Sequence, residues 1–380
     1  MAKLGDVCNI QSGGTPSRGE RNYWENGQIP WVKISDIKAK FLNNTEEHIT
    51  ELGLKNSSAK VFPTGTILYT IFATLGETCI LNIDAATNQA IAGIQIESDE
   101  LIRDYLYYYL ISRKDTVLAM GRGVAQNNIN MKMLKDFEIS IPPLDEQRRI
   151  AAVLDKVSGL IDKRREQLDK LDELVKARFV EMFGDETEFN RWKSCTIGDV
   201  ADVCVGVVIK PTQYYTDKGI PAFRSLNIGE MCVKDGDWVY FTEEGHQKNQ
   251  KSVVRKNNVL VVRSGAPGTA CVVSEKYDGY NAVDIIIARP DNTKVNSIFL
   301  AAFTNMPHGM NQIRERTGGA AQQHFNVGGY KALRLIMPPM DQQQKFAAFF
   351  KQIEKSKLTI QQSLDKLEVL KKALMQQYFG

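Results

Sequence analysis

The sequence predicts an α+β protein built as an internal repeat, two globular blocks that each run into one long helix. Three observations carry that prediction. Residues 142–184 and 338–380 are copies at a constant offset of 196 residues, Pro142-Pro143-Leu144-Asp145-Glu146-Gln147 answering Pro338-Pro339-Met340-Asp341-Gln342-Gln343. Both copies carry apolar residues at alternating steps of three and four, the rhythm of a coiled-coil seam. The stretches before them are short β-branched runs separated by glycine and proline loops, in the same order twice.

The first seam reads Ile150, Leu154, Val157, Ile161, Arg164, Leu168, Leu171, Val175, Arg178 and Met182; the second reads Phe346, Phe350, Ile353, Lys357, Ile360, Leu364, Leu367, Lys371, Leu374 and Tyr378. The helix–helix interface is expected on the apolar members of these rows. The Pro-Pro pair marks each entrance, because proline is tolerated only at or before a first helical turn. Asp145 and Asp341 are the expected N-caps, with Gln344 completing a capping box, and Gly184 is the expected C-cap. About 37 residues at ~1.5 Å each make a helix of roughly 55 Å.

The chain therefore divides into a first block at 1–141, a helix at 142–184, a second block at 185–337 and a helix at 338–380. In the first block Ile29–Ile34, Thr66–Ile71, Ile91–Ile96 and Phe137–Ile141 read as strands. Leu101–Ser112 reads as a helix whose tyrosines at 105 and 107–109 pack inside. Gln11–Ser17 and Gly121–Asn128 are turn-rich loops. In the second block Ile220–Ser225, Asn257–Gly265 and Asn281–Ile286 stand where those strands stood, and Gly318–Asn326 replaces the polar glycine loop. The scaffold repeats while the loop chemistry changes. Two copies with unlike loops should bind two different things, or two different sequences.

Apolar content of 43% and charged content of 24% are those of a globular protein. No apolar run approaches the ~18–20 residues of a membrane span, and nothing at the start resembles a signal peptide, so a cytoplasmic location is expected. Six scattered cysteines without a Cys-x-x-Cys, and four scattered histidines, argue against a disulfide framework or a metal site. Residues 1–144 carry 14 basic and 16 acidic side chains, and residues 185–340 carry 18 and 16. That is no basic stripe of the kind that grips nucleic acid unaided.

Catalytic motifs fail on their chemistry. Gly14 to Glu20 has phosphate-loop spacing but places a carboxylate where a lysine must meet phosphate. Gly121-x-Gly123 lacks the third glycine of a dinucleotide site. Neither Pro-Pro pair has the polar and aromatic neighbours of an amino-methyltransferase motif, and no metal-nuclease set follows Pro290-Asp291. No catalytic residue is assigned.

With the paired Pro-Pro-(Leu/Met)-Asp-(Glu/Gln)-Gln helices, the polar loops bearing Gln126 and Gln322, Gly13-Gly14-Thr15-Pro16-Ser17, Ile29-Pro30-Trp31 and Arg263-Ser264-Gly265, nearly the whole chain resembles the specificity subunits of type I restriction–modification systems. It departs from their usual pattern at Tyr69-Thr70-Ile71-Phe72, where many members have Arg-Ser-Gly. The resemblance implies two globular α+β target-recognition domains joined by two long antiparallel helices, with pseudo-two-fold symmetry. It implies double-stranded DNA as ligand, and as partners two modification (methyltransferase) subunits, to which restriction subunits can be added. S-adenosylmethionine, ATP and Mg would then sit on the partners, with no cofactor on this chain. Each half would read one part of a split site, and the helices would set the unread spacer.

Paired donors and acceptors on loops are the candidates for base contact, since Arg and Lys suit guanine while Asn and Gln suit adenine. In the first half these are Ser17, Arg18, Lys33, Arg122, Gln126, Asn127 and Asn128; in the second, Lys210, Arg224, Asn227, Arg263, Arg316, Gln322, Gln323 and His324. The rival readings are a stand-alone DNA-binding regulator, which would bind tightly without partners, and an interaction protein that binds no nucleic acid.

Overall fold

The structure, a computed structural model, describes residues 1–121, 128–317 and 324–380. It divides into two compact units, one of residues 1–165 with 362–380 and the other of residues 166–361. The division passes through both long helices. Each unit thus takes in the start of one helix and the end of the other.

In the first unit a five-stranded sheet runs in the order Cys8–Ser12, Ile91–Ile96, Ile67–Thr70, Thr78–Leu81, Phe41–Leu42, antiparallel except for the last pair. A second sheet orders Glu47–Ile49, Ile29–Val32, Ala85–Thr87 and Val61–Phe62. Ile67–Thr70 and Thr78–Leu81 are buried at every position, so neither alternates between an inward and a solvent face. The helix Arg103–Ser112 closes this core, its tyrosines buried as expected. Tyr105 and Tyr109 donate to the carbonyls of Ser140 and Glu138 at 2.9 and 2.8 Å, and Tyr108 donates to Asp155 at 2.6 Å.

The second unit repeats the first sheet as Ala201–Val205, Ile285–Pro290, Val259–Val262, Ala270–Val272, and orders the other as Tyr215–Thr216, Val239–Phe241, Ile220–Phe223, Asn281–Ala282. In both units the chain's next strand, Glu138–Ile139 or Arg334–Ile336, pairs with the strand that opens the block and then feeds a long helix.

The long helices span Leu144–Phe183 and Met340–Phe379, 40 residues each and unbroken. They run antiparallel within each unit. In the first, Ile150 and Leu154 share a core with Phe379 and Leu374, while Arg165 pairs with Glu368 at 2.7 Å. In the second, the Phe179 ring meets the Phe346 ring at 5.5 Å, and Lys357 pairs with Asp172 at 2.8 Å.

Ile150, Leu154, Val157, Ile161, Val175, Phe346, Phe350, Ile353 and Leu364 are buried, whereas Leu168, Leu171, Ile360, Leu367 and Leu374 are half-buried. The ends of the seam need correction. Phe179, Phe183 and Phe379 occupy the interior, one residue beyond Arg178, Met182 and Tyr378. A straight helix repeats at 3.6 residues, so a strict seven-residue rhythm drifts off the buried face. Asp145 and Asp341 are not caps. The carbonyls of Pro143 and Pro339 open the helices, accepting from Gln147 and Gln343 at 3.1 and 3.2 Å. Each aspartate lies within the first turn and pairs along it, with Arg148 at 2.8 Å and Lys345 at 3.2 Å. Gly184 has φ +87°, the left-handed cap that glycine adopts without strain. Among the described residues no helix is long and apolar enough to cross a membrane.

Candidate nucleic-acid interface

The first unit gathers its polar loop residues around one carboxylate. The loop after Ser12 turns on Gly13 and Gly14, where an added Cβ would collide with Thr87 and with Ser58. Trp31 donates to the Gly14 carbonyl and Trp24 to the Ser17 carbonyl, both at 3.0 Å, which fixes the loop beside two indoles. The Arg18 guanidinium stacks 3.8 Å from the Trp24 ring centre and donates to Glu47 at 2.5 Å. Lys33 reaches the same glutamate at 3.1 Å and Glu46 at 2.7 Å. The hydrogen bond from Arg18 holds the Glu47 carboxyl below its ordinary range, and the bond to Glu46 raises Lys33. Arg18 and Lys33 are thus brought together on one carboxylate. Ser17 is exposed. Asn128 forms an isolated bridge with Phe72, while Arg122, Gln126 and Asn127 lie outside the described residues.

The second unit uses one of these places again. The Lys33 N–H donates to Asp36 at 2.9 Å, and the Arg224 N–H donates to Asn227 at 2.9 Å, so Lys33 and Arg224 occupy equivalent strand ends. Arg224 also donates to the Asp237 carbonyl at 2.5 Å. Asn227, a sequence candidate, holds a structural place. It is buried, its oxygen closes this turn and its amide donates to the Gly236 carbonyl at 2.6 Å, so it shapes the loop.

Arg263 is likewise enclosed. It donates to Asp284 at 2.6 Å, to the Phe325 carbonyl at 3.1 Å and to Nε2 of His324 at 2.5 Å. Arg263 is buried, and three of its five N–H groups are held by protein acceptors, so its first role is to order this corner of the fold. His324 is exposed, and its Nδ1 lies 2.7 Å from Ser264 Oγ. Arg316 caps the end of the helix Pro307–Thr317, donating to the carbonyls of Gln312 at 2.9 Å and Ala332 at 3.3 Å. Lys210 is exposed beside the exposed Val208 and Ile209, with φ +43°. Gln322 and Gln323 lie outside the described residues.

Ser264, Phe72 and the Trp24–Trp31 pair were not among the sequence candidates, although Ser264 sits inside the quoted Arg-Ser-Gly motif. Among the described residues, no group of three His, Cys, Asp or Glu side chains is arranged to hold a metal ion.

Comparison with known proteins accords with this geometry. The sequence model of the type I restriction modification DNA specificity domain matches twice, at residues 1–173 and 190–371. The MjaIX specificity subunit of a type I restriction enzyme from Methanocaldococcus jannaschii is 23% identical over 401 residues, covering 99% of this chain and 91% of its own. The EcoR124I/EcoR124II specificity subunit from Escherichia coli is 29% identical over 182 residues, 46% of this chain and 45% of its own. Among solved structures, the S subunit of a type I restriction–modification system from M. genitalium superposes with a TM-score of 0.57 at 14% identity, covering 100% of this chain and 95% of that one. A chain from a type I R-M system studied for complex assembly and conformational transition gives 0.56 at 18% identity, with 100% and 96% covered.

Proposed function

Because the chain belongs to the family of type I restriction–modification DNA specificity proteins, we propose that each of its two units reads one part of a bipartite, asymmetric DNA site. The chain is the DNA-recognition subunit of its system; the division of labour between its units is the finer claim. The observation that carries it is the repeated strand order with unlike side chains at equivalent places, Lys33 against Arg224 and Phe72 against Ser264. Two identical heads would favour a palindrome, whereas two unlike heads on one chain favour a site whose halves differ.

The long helices carry the second part of the proposal: they set the spacer between half-sites and dock two modification subunits. Leu174 and Leu370 support it. They are equivalent across the 196-residue repeat, lie in different units, and are 46% and 45% exposed. Such repeat-matched exposure suits two copies of one partner. The near balance of 48 basic and 45 acidic residues supports partners that supply phosphate contacts, and disfavours a regulator acting alone. S-adenosylmethionine, ATP and Mg belong, on this reading, to the partner subunits, and catalysis with them.

Methylation mapping of cells carrying this chain and its modification partner tests the proposal. Exchanging residues 1–141 for another member's first block should change one half-site and leave the other. Four residues inserted into each long helix at equivalent positions, ~6 Å each, should lengthen the spacer by one or two base pairs. A change in both half-sites after the block exchange would refute the division of labour, and an unchanged spacer would refute the ruler.

A further inference from the structure

We propose that Ser264 donates a hydrogen bond to the DNA, oriented for that role through His324 by Arg263 and Asp284. The inference rests on the DNA-reading function above and assigns a contact to the second unit alone.

The two units end a main-sheet strand in the same turn. In the first, the Gly76 N–H donates to the Thr70 carbonyl at 3.0 Å and the Thr70 N–H to the Glu77 carbonyl at 3.0 Å. In the second, Gly268 donates to Val262 at 3.0 Å and Val262 to Thr269 at 2.9 Å. A further bond repeats, Ile129 to the Ile71 carbonyl at 3.1 Å and Phe325 to the Arg263 carbonyl at 2.9 Å. Phe72 and Ser264 therefore hold one place in the fold, as do Ile71 and Arg263, and Asn128 and His324.

Proton accounting then fixes the direction of the bonds that join Arg263, His324 and Ser264. A guanidinium has five N–H donors and no acceptor. With Arg263 Nη2 at 2.5 Å, His324 Nε2 must accept, so the imidazole is neutral and its proton is on Nδ1. Nδ1 lies 2.7 Å from Ser264 Oγ and donates to it. The seryl hydrogen remains, and among the described residues no other side chain or carbonyl is placed to take it. A ligand acceptor in that position would satisfy it.

This polarity is the reverse of a nucleophilic serine–histidine pair, in which the imidazole takes the seryl proton. Here the ring already presents its own N–H to the serine. The arrangement suits recognition and not hydrolysis. Duplex DNA offers acceptors along its backbone phosphates and, in the major groove, at purine N7, guanine O6 and thymine O4. In the first unit the equivalent places of Arg263 and Ser264 hold the apolar Ile71 and Phe72, and the Phe72 ring, 39% exposed, offers an apolar surface there.

The test uses the complex of the full chain with its modification subunits, binding a duplex that carries its mapped methylation site. Ser264→Ala should weaken binding about tenfold, the loss of one hydrogen bond, while Ser264→Thr should stay within about twofold. His324→Phe should weaken binding as much as Ser264→Ala, and the double variant should be no worse than either single, since the pair acts as one unit. His324→Gln, which can accept from Arg263 and donate to Ser264, should restore binding; a merely structural role would give additive losses and no such rescue. Duplexes with single methylphosphonates, or with single base analogues lacking one acceptor, then locate the partner. The position at which Ser264→Ala causes no further loss identifies a phosphate in the first series and a base in the second. A wild-type complex with no preferred site would overturn the DNA-reading function itself. A wild-type complex that binds its site while Ser264→Ala binds equally well, or a search that finds no such position, would overturn this inference alone.

Discussion

Gln147 accepts a hydrogen bond from the Ile102 N–H at 3.0 Å, and its amide donates to the carbonyls of Glu100 and Pro142 at 2.6 and 2.8 Å. Gln343 does the same work in the other unit, accepting from the Asn296 N–H at 2.9 Å and donating to the Pro338 carbonyl at 2.9 Å. Both side chains are buried. The glutamine of the Pro-Pro-x-Asp-x-Gln motif is thus a plug that fixes the start of a long helix to its globular block. Only an amide both accepts and donates at the end of a side chain of this length.

Gln147→Ala should therefore destabilise the first unit by about 2–3 kcal/mol, because one buried N–H and two carbonyls lose their partner. Gln147→Glu should cost at least as much at neutral pH, since a carboxylate cannot donate and would be buried charged. Denaturant unfolding followed by hydrogen exchange of each unit checks this. The loss should fall on residues 1–165 and 362–380 for Gln147, and on 166–361 for Gln343.

Asn227→Ala should lower the stability of the second unit by about 1–3 kcal/mol, leaving the Arg224 N–H and Gly236 carbonyl unsatisfied. Its methylation site should stay the same. A changed site with unchanged stability would return Asn227 to the reading surface.

The helices were legible because their information is local: proline at the entrance, three-and-four spacing, glycine at the exit. The rhythm failed where packing moved to another partner, as Phe179 turns toward Phe299 and Phe346 at 5.8 and 5.5 Å and leaves Arg178 half-buried. The loops were less legible because donor chemistry does not encode burial. Asn227 and Arg263 have the side chains of base readers, yet contacts with Gly236 and with Asp284, 21 residues further along the chain, enclose them. Asp36 and Asn227 share a turn role that neither residue type announces, and it emerged only from matching hydrogen bonds in the two units. Gln147 and Gln343 were visible as a motif, but their partners at residues 100–102 and 296 required the fold.

Lys371 interrupts the second seam. Burial pushes its ammonium below the ordinary value of 10.5, against a partial restoring pull from Asp162. A depressed folded pKa means that the unfolded chain holds the proton more tightly. The wild type therefore carries a cost that is full below the folded pKa and disappears as pH rises past 10.5. Lys371→Met should stabilise the first unit at pH 7 by about 1 kcal/mol. Unfolding measured across the alkaline range should show that gain shrinking toward zero. A gain independent of pH would assign the effect to packing alone.

Leu174 and Leu370 separate docking from folding. Each is about half exposed, so replacing it with aspartate should change stability by no more than about 0.5 kcal/mol. If each seats one modification subunit, either single substitution should yield complexes with one such subunit, and the double substitution complexes with none. Native mass spectrometry of the reconstituted complex reads this directly. The paired outcome matters more than the size of either loss. One leucine that removes both partners would mean a single shared interface, and two that remove neither would place docking away from these helix faces.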